Sequence, residues 1–111
     1  MALGSEITRG EVVLVELNPT RGSEIRTTRP CVIVSPNELN THMRTYLVAP
    51  MTTGGYPYPF RVPCRFQGTS GHVVVDQIRA IDQKRIVKRL GRMSPPTLAR
   101  VLDVLQKMFT P

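Results

Sequence analysis

The run Pro30-Cys31-Val32-Ile33-Val34-Ser35 decides the fold, because every position between the proline and the serine is apolar or a thiol. The run is short and rich in β-branched residues, which is typical of a strand rather than a helix. Neighbouring side chains of a strand point to opposite faces, so an unbroken apolar run predicts a strand that is buried on both faces. The fold must therefore pack other elements on both sides of this strand.

The flanking segments predict a nearly all-β chain. Residues 11–17 predict a first strand with Val13, Val15 and Leu17 on one face, and the polar residues 20–28 form a long loop to the central strand. Loops of this length on a compact scaffold are more often functional than accidental. Further short strands are predicted at residues 46–49, 60–66, 73–75 and 78–81.

The C-terminal residues change to helical spacing. Ser94 can cap a helix, Pro95 suits its first turn, and one apolar stripe contains Leu98, Val101, Leu102, Leu105, Met108 and Phe109. We expect this amphipathic helix to pack on a small, strongly bent antiparallel sheet or barrel. Residues 9–111 are predicted to form this single domain, and residues 1–8 a tail outside it.

The composition argues against several classes of protein. The longest apolar runs are far too short to span a membrane, and the first residues lack the pattern of a secretory signal, so we expect a cytoplasmic protein. Cys31 and Cys64 lack the paired spacing of a metal site and are predicted to be reduced core thiols. No phosphate loop, metal-ligand cluster or nucleophile elbow is present, so we expect neither a cofactor nor a metal.

The net charge of +7 is carried by the second half of the chain. Residues 1–60 hold five Arg and five Glu, whereas residues 61–111 hold ten Lys or Arg and three Asp. Five of these cations form a cluster without an acidic residue: Lys84, Arg85, Lys88, Arg89 and Arg92. Such a cluster fits a phosphate backbone or an acidic partner, and a solvated basic face is the alternative.

Two residues at strand ends could act on a phosphate. Arg29 directly precedes Pro30, which fixes the entry to the buried strand, and a guanidinium held there could form paired hydrogen bonds to phosphoryl oxygens. Thr52 lies just past the end of the third predicted strand and could offer its hydroxyl to the same phosphate. A surface salt bridge for Arg29 and local capping by Thr52 are the alternatives. His42 and His72 form a further candidate, as an acid–base pair that cleaves RNA.

Several segments resemble the MazF/PemK toxins in their order and approximate spacing. They are residues 9–12 (RGEV), 17–24 (LNPTRGSE), 28–36 (TRPCVIVSP), 48–53 (VAPMTT), 58–60 (YPF) and 76–82 (DQIRAID). The resemblance spans about residues 9–109, which is nearly the whole chain. It implies a barrel-like antiparallel sheet of the MazF/PemK/CcdB type with a C-terminal helix, and a homodimer that binds single-stranded RNA across its face.

The resemblance also implies an activity and its residues. Members are sequence-specific endoribonucleases, or mRNA interferases, in which a ribose 2'-hydroxyl attacks the neighbouring phosphate without a metal and leaves 2',3'-cyclic phosphate and 5'-hydroxyl ends. A cognate antitoxin with an acidic tail silences them. By position, Arg29 and Thr52 would be catalytic, and the residues that would contact RNA or shape its pocket are Ser23, Glu24, Thr53 and Gln77.

The long loop departs from the family pattern. After Ser23 and Glu24 many relatives continue with glutamine and glycine, whereas this chain has Ile25-Arg26-Thr27-Thr28. We expect the loop to be stiffer without that glycine, and Arg26 to strengthen phosphate contact without specifying a base. Base choice would come from side chains at the Watson–Crick edges, aided by stacking on Tyr56 or Tyr58 unless these tyrosines pack into the core.

Two other functions stay open at this stage. A CcdB-like toxin of the same fold poisons DNA gyrase by binding, but such toxins depend on a tryptophan near the C terminus, and this chain has no tryptophan. A non-catalytic RNA-binding barrel would keep the basic face and would have no need of Arg29 and Thr52. RNA cleavage separates both from the nuclease.

Overall fold

The computed structural model describes residues 6–17, 28–54 and 57–111. The elements in these ranges are β1 (Glu11–Glu16), β2 (Thr28–Ile33), α1 (Asn37–His42), β3 (Thr45–Thr53), β4 (Arg61–Phe66), β5 (Thr69–Val74), β6 (Arg79–Asp82), β7 (Ile86–Arg92) and α2 (Pro95–Met108). Short 3-10 turns lie at Val75–Gln77 and Gln83–Arg85. Neither α1 nor α2 is long and apolar enough to cross a bilayer.

The strands form one antiparallel sheet in the order β4-β5-β3-β2-β1-β7. The long strand β3 also pairs with β6 through its first half, while its end pairs with β5. Within the described residues β4 and β7 do not pair, so the sheet is open rather than a closed barrel, and the predicted antiparallel sheet with a C-terminal helix is confirmed. The β4–β5 turn contacts β7 through a 2.7 Å hydrogen bond that Gln67 Nε2 donates to the Leu90 carbonyl oxygen.

The predicted burial of β2 on both faces is confirmed. Cys31, Val32 and Ile33 are each 0% exposed, and they alternate between two separate apolar clusters. Val32 packs with β1, β3, β5 and α2, whereas Cys31 and Ile33 pack with Val13, Val15 and the start of β3. Full burial of one such aliphatic side chain contributes about 1.5–3 kcal/mol, so β2 anchors both clusters.

Helix α2 covers the first cluster. Val101 is fully buried, and its partly buried neighbours in the stripe are Leu98, Leu102, Val104, Leu105 and Met108. The inclusion of Phe109 in this stripe was wrong: the helix ends at Met108, and the Phe109 side chain is 73% exposed. Ser94 stands at the predicted N-cap, but its hydroxyl donates to Thr97 Oγ1 rather than accepting from the helix backbone.

The sequence patterns missed two elements, α1 and β7, and predicted two strands, β3 and β5, too short. No element was predicted after Pro36, where α1 lies, because its polar residues show no apolar periodicity. The buried Asn40 side chain attaches this helix to Ser35. β3 continues past Ala49 to Thr53, because its end pairs with β5. β7 was not predicted, because cations occupy much of this strand.

Three members of the basic cluster are used by the fold. Arg89 forms a two-fold hydrogen bond with the buried carboxylate of Glu11, and this hydrogen bond raises the pKa of Arg89. Arg92 donates to Thr8 Oγ1 at 2.8 Å and to the Arg9 carbonyl at 2.7 Å. Arg85 donates to the Glu16 carbonyl at 3.2 Å. These contacts tie β7 and the 3-10 turn before it to β1 and the N-terminal residues, so three of the five cations also serve the fold.

The residues before β1 also pack on the sheet. Ile7 is 4% exposed and belongs to the second apolar cluster. The Arg9 guanidinium donates to the Val34 carbonyl at 2.9 Å. The segment before β1 is thus tied to the residue that follows β2.

Two valines in strands test the central position of β2. We expect Val32→Ala to lower the free energy of unfolding by about 2–3 kcal/mol, because buried methyl groups are lost and a cavity remains. Val87 in β7 is 60% exposed and is the matched control. Val87→Ala should cost about 1 kcal/mol or less, since only strand propensity changes. Urea unfolding followed by circular dichroism measures both, and equal losses would contradict the structure.

Candidate functional site

The strands β2 and β3 separate at two prolines. Their recorded pairs are Ile33 with Val48, Val32 with Ala49, and Cys31 with Pro50. Pro30 and Pro50 have no N–H group, so neither can donate to a ladder between these strands. Beyond this point the end of β3 pairs with β5, and the start of β2 pairs with β1. The facing edges of the two strands are therefore left apart.

A cavity of about 440 Å³ opens where the strands separate. The start of β2 contributes Thr28, Arg29 and Pro30, and the end of β3 contributes Met51, Thr52 and Thr53. The other walls come from β4, β5, their connecting turn and β7, through Cys64, Phe66, Gln67, Thr69, Ser70, Gly71 and Leu90. The cavity thus holds the two residues predicted to be catalytic and one of those predicted to bind RNA.

Arg29 is available for an anion. Its side chain is partly exposed, and within residues 6–17, 28–54 and 57–111 no carboxylate forms an ion pair with it. The salt-bridge alternative for Arg29 therefore finds no partner in this part of the chain. Thr52 is also partly exposed, and continuing the β2–β3 register by two residues brings it level with Arg29. A guanidinium and a hydroxyl at this level can both reach a phosphate placed between the strands.

The two thiols near the site are poor nucleophiles. Burial raises the pKa of Cys31 to about 12, although the charges of Arg29 and Arg79 act in the opposite direction. Burial also raises the pKa of Cys64, which lines the cavity. Both cysteines are free, as predicted, and both are protonated near neutral pH.

The other predicted contacts lie partly outside the described residues. Ser23, Glu24 and Arg26 fall in residues 18–27, together with most of the segment that departs from the family pattern, and Tyr56 falls in residues 55–56. Residues 18–27 lead directly into Thr28, which lines the cavity. The roles of these residues stay predictions.

Gln77 and Tyr58 are described and lie away from the cavity lining. Gln77 ends the 3-10 turn between β5 and β6 and is exposed. Tyr58 is 53% exposed, so it is not a core residue, and the Arg61 guanidinium carbon lies 4.9 Å from its ring centre. Arg61 also lies 3.5 Å from an Asp76 carboxylate oxygen. Contact between Gln77 and RNA remains a prediction.

The proposed histidine pair is not brought together. His42 ends α1 and lines a depression with Arg9 and Glu38, whereas His72 lies on β5 and lines a different one. His72 is instead the direct cross-strand partner of Thr52. No sequence pattern indicated this neighbour, because it depends on the register of two strands. In the part of the chain that the structure describes, no three His, Cys, Asp or Glu residues are grouped so that they could hold a metal.

The comparisons with known proteins agree with this fold. Residues 8–109 match the family of PemK-like, MazF-like toxins of type II toxin-antitoxin systems. The chain is 40% identical over 112 residues to the endoribonuclease PemK of Escherichia coli. The aligned region covers 96% of this chain and 84% of PemK. It is 33% identical over 90 residues to an endoribonuclease toxin MazF of Escherichia coli, covering 80% of this chain and 81% of that protein.

Solved structures give the same answer at the level of the fold. A crystal structure of MazF from Deinococcus radiodurans has a TM-score of 0.78 and 27% identity, over 94% of this chain and 96% of that one. A MazE-MazF crystal structure from the same organism has a TM-score of 0.81 and 26% identity, over the same shares of both chains. The sheet with its closing helix is thus a toxin fold of this class. The chain belongs to the PemK-like, MazF-like toxin family of type II toxin-antitoxin systems.

Gly71 tests the packing behind the cavity. A Cβ atom at this position would lie 1.8 Å from the Thr52 carbonyl oxygen and 2.9 Å from its carbonyl carbon, which are backbone atoms that cannot rotate away. We expect Gly71→Ala to lower the free energy of unfolding by about 2 kcal/mol or more and to displace Thr52. Thr69→Ala, at an exposed position of the same strand, is the control. Urea unfolding measures the loss of stability, and the amide chemical shift of Thr52 reports its displacement. An unchanged Thr52 chemical shift in Gly71→Ala would contradict this packing.

Proposed function

We propose that this protein is a sequence-specific endoribonuclease toxin that cuts single-stranded RNA, an mRNA interferase, at the cavity between β2 and β3. The observation that carries the proposal is the meeting of Arg29 and Thr52 at one cavity, with no described carboxylate paired to Arg29. The relatives of this family named above are endoribonucleases. The RNA would be cut in the cytoplasm.

The proposed reaction uses the nucleophile that RNA itself carries. The 2'-hydroxyl oxygen bonds to the neighbouring phosphorus while its proton is lost, the bond from phosphorus to the 5'-oxygen breaks, and that oxygen gains a proton. The products are a 2',3'-cyclic phosphate and a 5'-hydroxyl. Negative charge increases on the phosphoryl oxygens in the transition state, where fixed hydrogen-bond donors act most strongly.

The described side chains suit this role of charge stabilisation. Arg29 supplies a planar, permanently charged donor set, and Thr52 supplies a hydroxyl on the facing strand. The protonated thiols of Cys31 and Cys64 leave the attack to the RNA. We propose that the step needs no metal. Ser23, Glu24, Arg26, Thr53 and Gln77 would then contact the RNA around the cut site.

The proposal includes two protein partners. A second copy of the chain would form the homodimer, and a cognate antitoxin with an acidic segment would cover the site. The net charge of +7 favours an acidic partner, and a related MazF was crystallised with MazE. A gyrase poison and a non-catalytic RNA-binding protein are the rivals, and neither would cut RNA.

Removal of the Arg29 guanidinium is the main test of the site. We expect Arg29→Ala to lower the rate of RNA cleavage in EDTA by about 100-fold to 1,000-fold, because a charged donor to the transition state is lost. Thr52→Val, which keeps the side-chain shape, should lower it by about 10-fold. Arg100→Ala removes an exposed arginine from α2 and is the matched control, with an unchanged rate. Full activity of Arg29→Ala would exclude the assignment of Arg29.

The acidic partner is tested through its effect on cleavage. We expect the protein, purified from its native host, to carry a small acidic protein that inhibits RNA cleavage and is released by high salt. Each ion pair between exposed groups weakens as salt screens it, so release should follow ionic strength. Copurified proteins that leave cleavage unchanged would contradict this part of the proposal.

A further inference from the structure

We infer that the RNA site extends from Thr52 onto the β4–β5 hairpin, where His72 and Arg65 bind the nucleotide next to the scissile phosphate. The inference rests on the proposed function and adds two substrate-contacting residues to it. Its basis is the position of these side chains beside the Arg29–Thr52 cavity.

His72 lies directly beside Thr52. The two residues are Cα partners of the antiparallel β3–β5 ladder, and such partners place their Cβ atoms about 4.5–5.5 Å apart on one face. Their chain neighbours Met51 and Val73 belong to the first apolar cluster on the opposite face. Thr52 and His72 therefore project together, away from that cluster.

The His72 ring is held in a fixed direction. Its Nδ1 atom lies 2.7 Å from the carbonyl oxygen of Gly54. A carbonyl oxygen only accepts, so Nδ1 carries the hydrogen of this bond. The Nε2 atom has no hydrogen-bond partner in the ranges that the structure describes. It can accept from a ribose or base of the RNA when the ring is neutral, and donate when the ring is charged.

A depression of about 460 Å³ lies beside His72. Cys64, Ser70 and Gly71 line both this depression and the cavity, so both spaces border the β4–β5 hairpin. Arg65 and Ser70 are Cα partners, and they lie on the same face as His72 and its partner Pro63. The residues of the depression thus lie next to those of the Arg29–Thr52 cavity.

The polar groups of the depression suit a nucleotide. Arg65 is exposed, and among the described residues no acidic side chain forms an ion pair with it. Its guanidinium can bind a phosphate, while the His72 ring and the Ser70 hydroxyl offer hydrogen bonds to the ribose or base. A cation that no described acidic residue pairs with, an anchored ring and a hydroxyl, all beside the Arg29–Thr52 cavity, match the next unit of the same RNA strand.

Cleavage of a series of synthetic RNAs tests the inference. The longest carries the mapped cut site with several nucleotides on each side, and the others lack one nucleotide at a time from either end. We expect Arg65→Ala and His72→Asn to raise KM for the longest RNA by about 10-fold, because each loses a hydrogen bond to the RNA, with little change in kcat. Asn at position 72 retains a donor for Gly54 and lacks the Nε2 atom.

The KM values on the truncated RNAs distinguish direct RNA contact from a merely structural role of Arg65 and His72. On the RNA that lacks the nucleotide bound in the depression, both variants should match the unsubstituted protein. The salt dependence of RNA binding should also become shallower by about 0.7 in log–log slope for Arg65→Ala, as expected for one lost phosphate contact. Arg100→Ala should change neither quantity, and thermal melting confirms that all variants are folded.

The outcomes separate this inference from the proposed function. Unchanged KM on the longest RNA, or an equal loss on every truncated RNA, would overturn the inference while Arg29-dependent cleavage stands. A protein that cuts no RNA would overturn the proposed function, and the inference with it.

Discussion

The burial of β2 on both faces is the constraint on which the rest of the structure depends. Val32 packs in the first apolar cluster, which α2 covers. Cys31 and Ile33 pack in the second apolar cluster, on the opposite face of the strand. β1 and β3 must flank the strand to satisfy its backbone. The residues that enter this strand therefore occupy fixed positions, and Arg29 is one of them. A charged side chain near the start of a strand whose other end is fully packed is held on a rigid backbone.

The site exists because the β2–β3 ladder covers only the buried part of β2 and stops before its first residues. Pro30 and Pro50 cannot donate hydrogen bonds, so β2 and β3 separate and leave a cavity between Arg29 and Thr52. The open sheet contributes as well, since the β4–β5 turn and β7 approach each other without pairing and form the far wall. Stability and binding are thus divided along one strand: its end is core, and its start faces the cavity.

Local patterns in the sequence predicted the elements whose apolar residues form an unbroken run or recur at helical spacing. The run from Pro30 to Ser35 and the stripe of α2 belong to this group. β7 was not predicted because its cations are paired with residues far away in sequence, which no local pattern shows. Arg89, for example, pairs with Glu11, 78 positions earlier. α1 was not predicted because its residues are polar and do not recur at apolar helical spacing; the helix is attached through the Asn40 side chain. Arg29 and Thr52 were singled out by their positions at strand ends, and the family resemblance then implied catalytic roles for them. The placement of His72 beside Thr52 depends on strand register, which no single segment encodes.

The central claim is that the site stabilises charge while the RNA supplies the nucleophile. The most direct test compares one RNA that contains the mapped cut site with the same RNA carrying a single 2'-deoxynucleotide on the 5' side of the cut. Mass spectrometry of the ends follows, in EDTA. The account predicts 2',3'-cyclic phosphate and 5'-hydroxyl ends from the first RNA and no cut at that position in the second. Cleavage of the deoxy-substituted RNA, or ends with a 3'-hydroxyl, would contradict it.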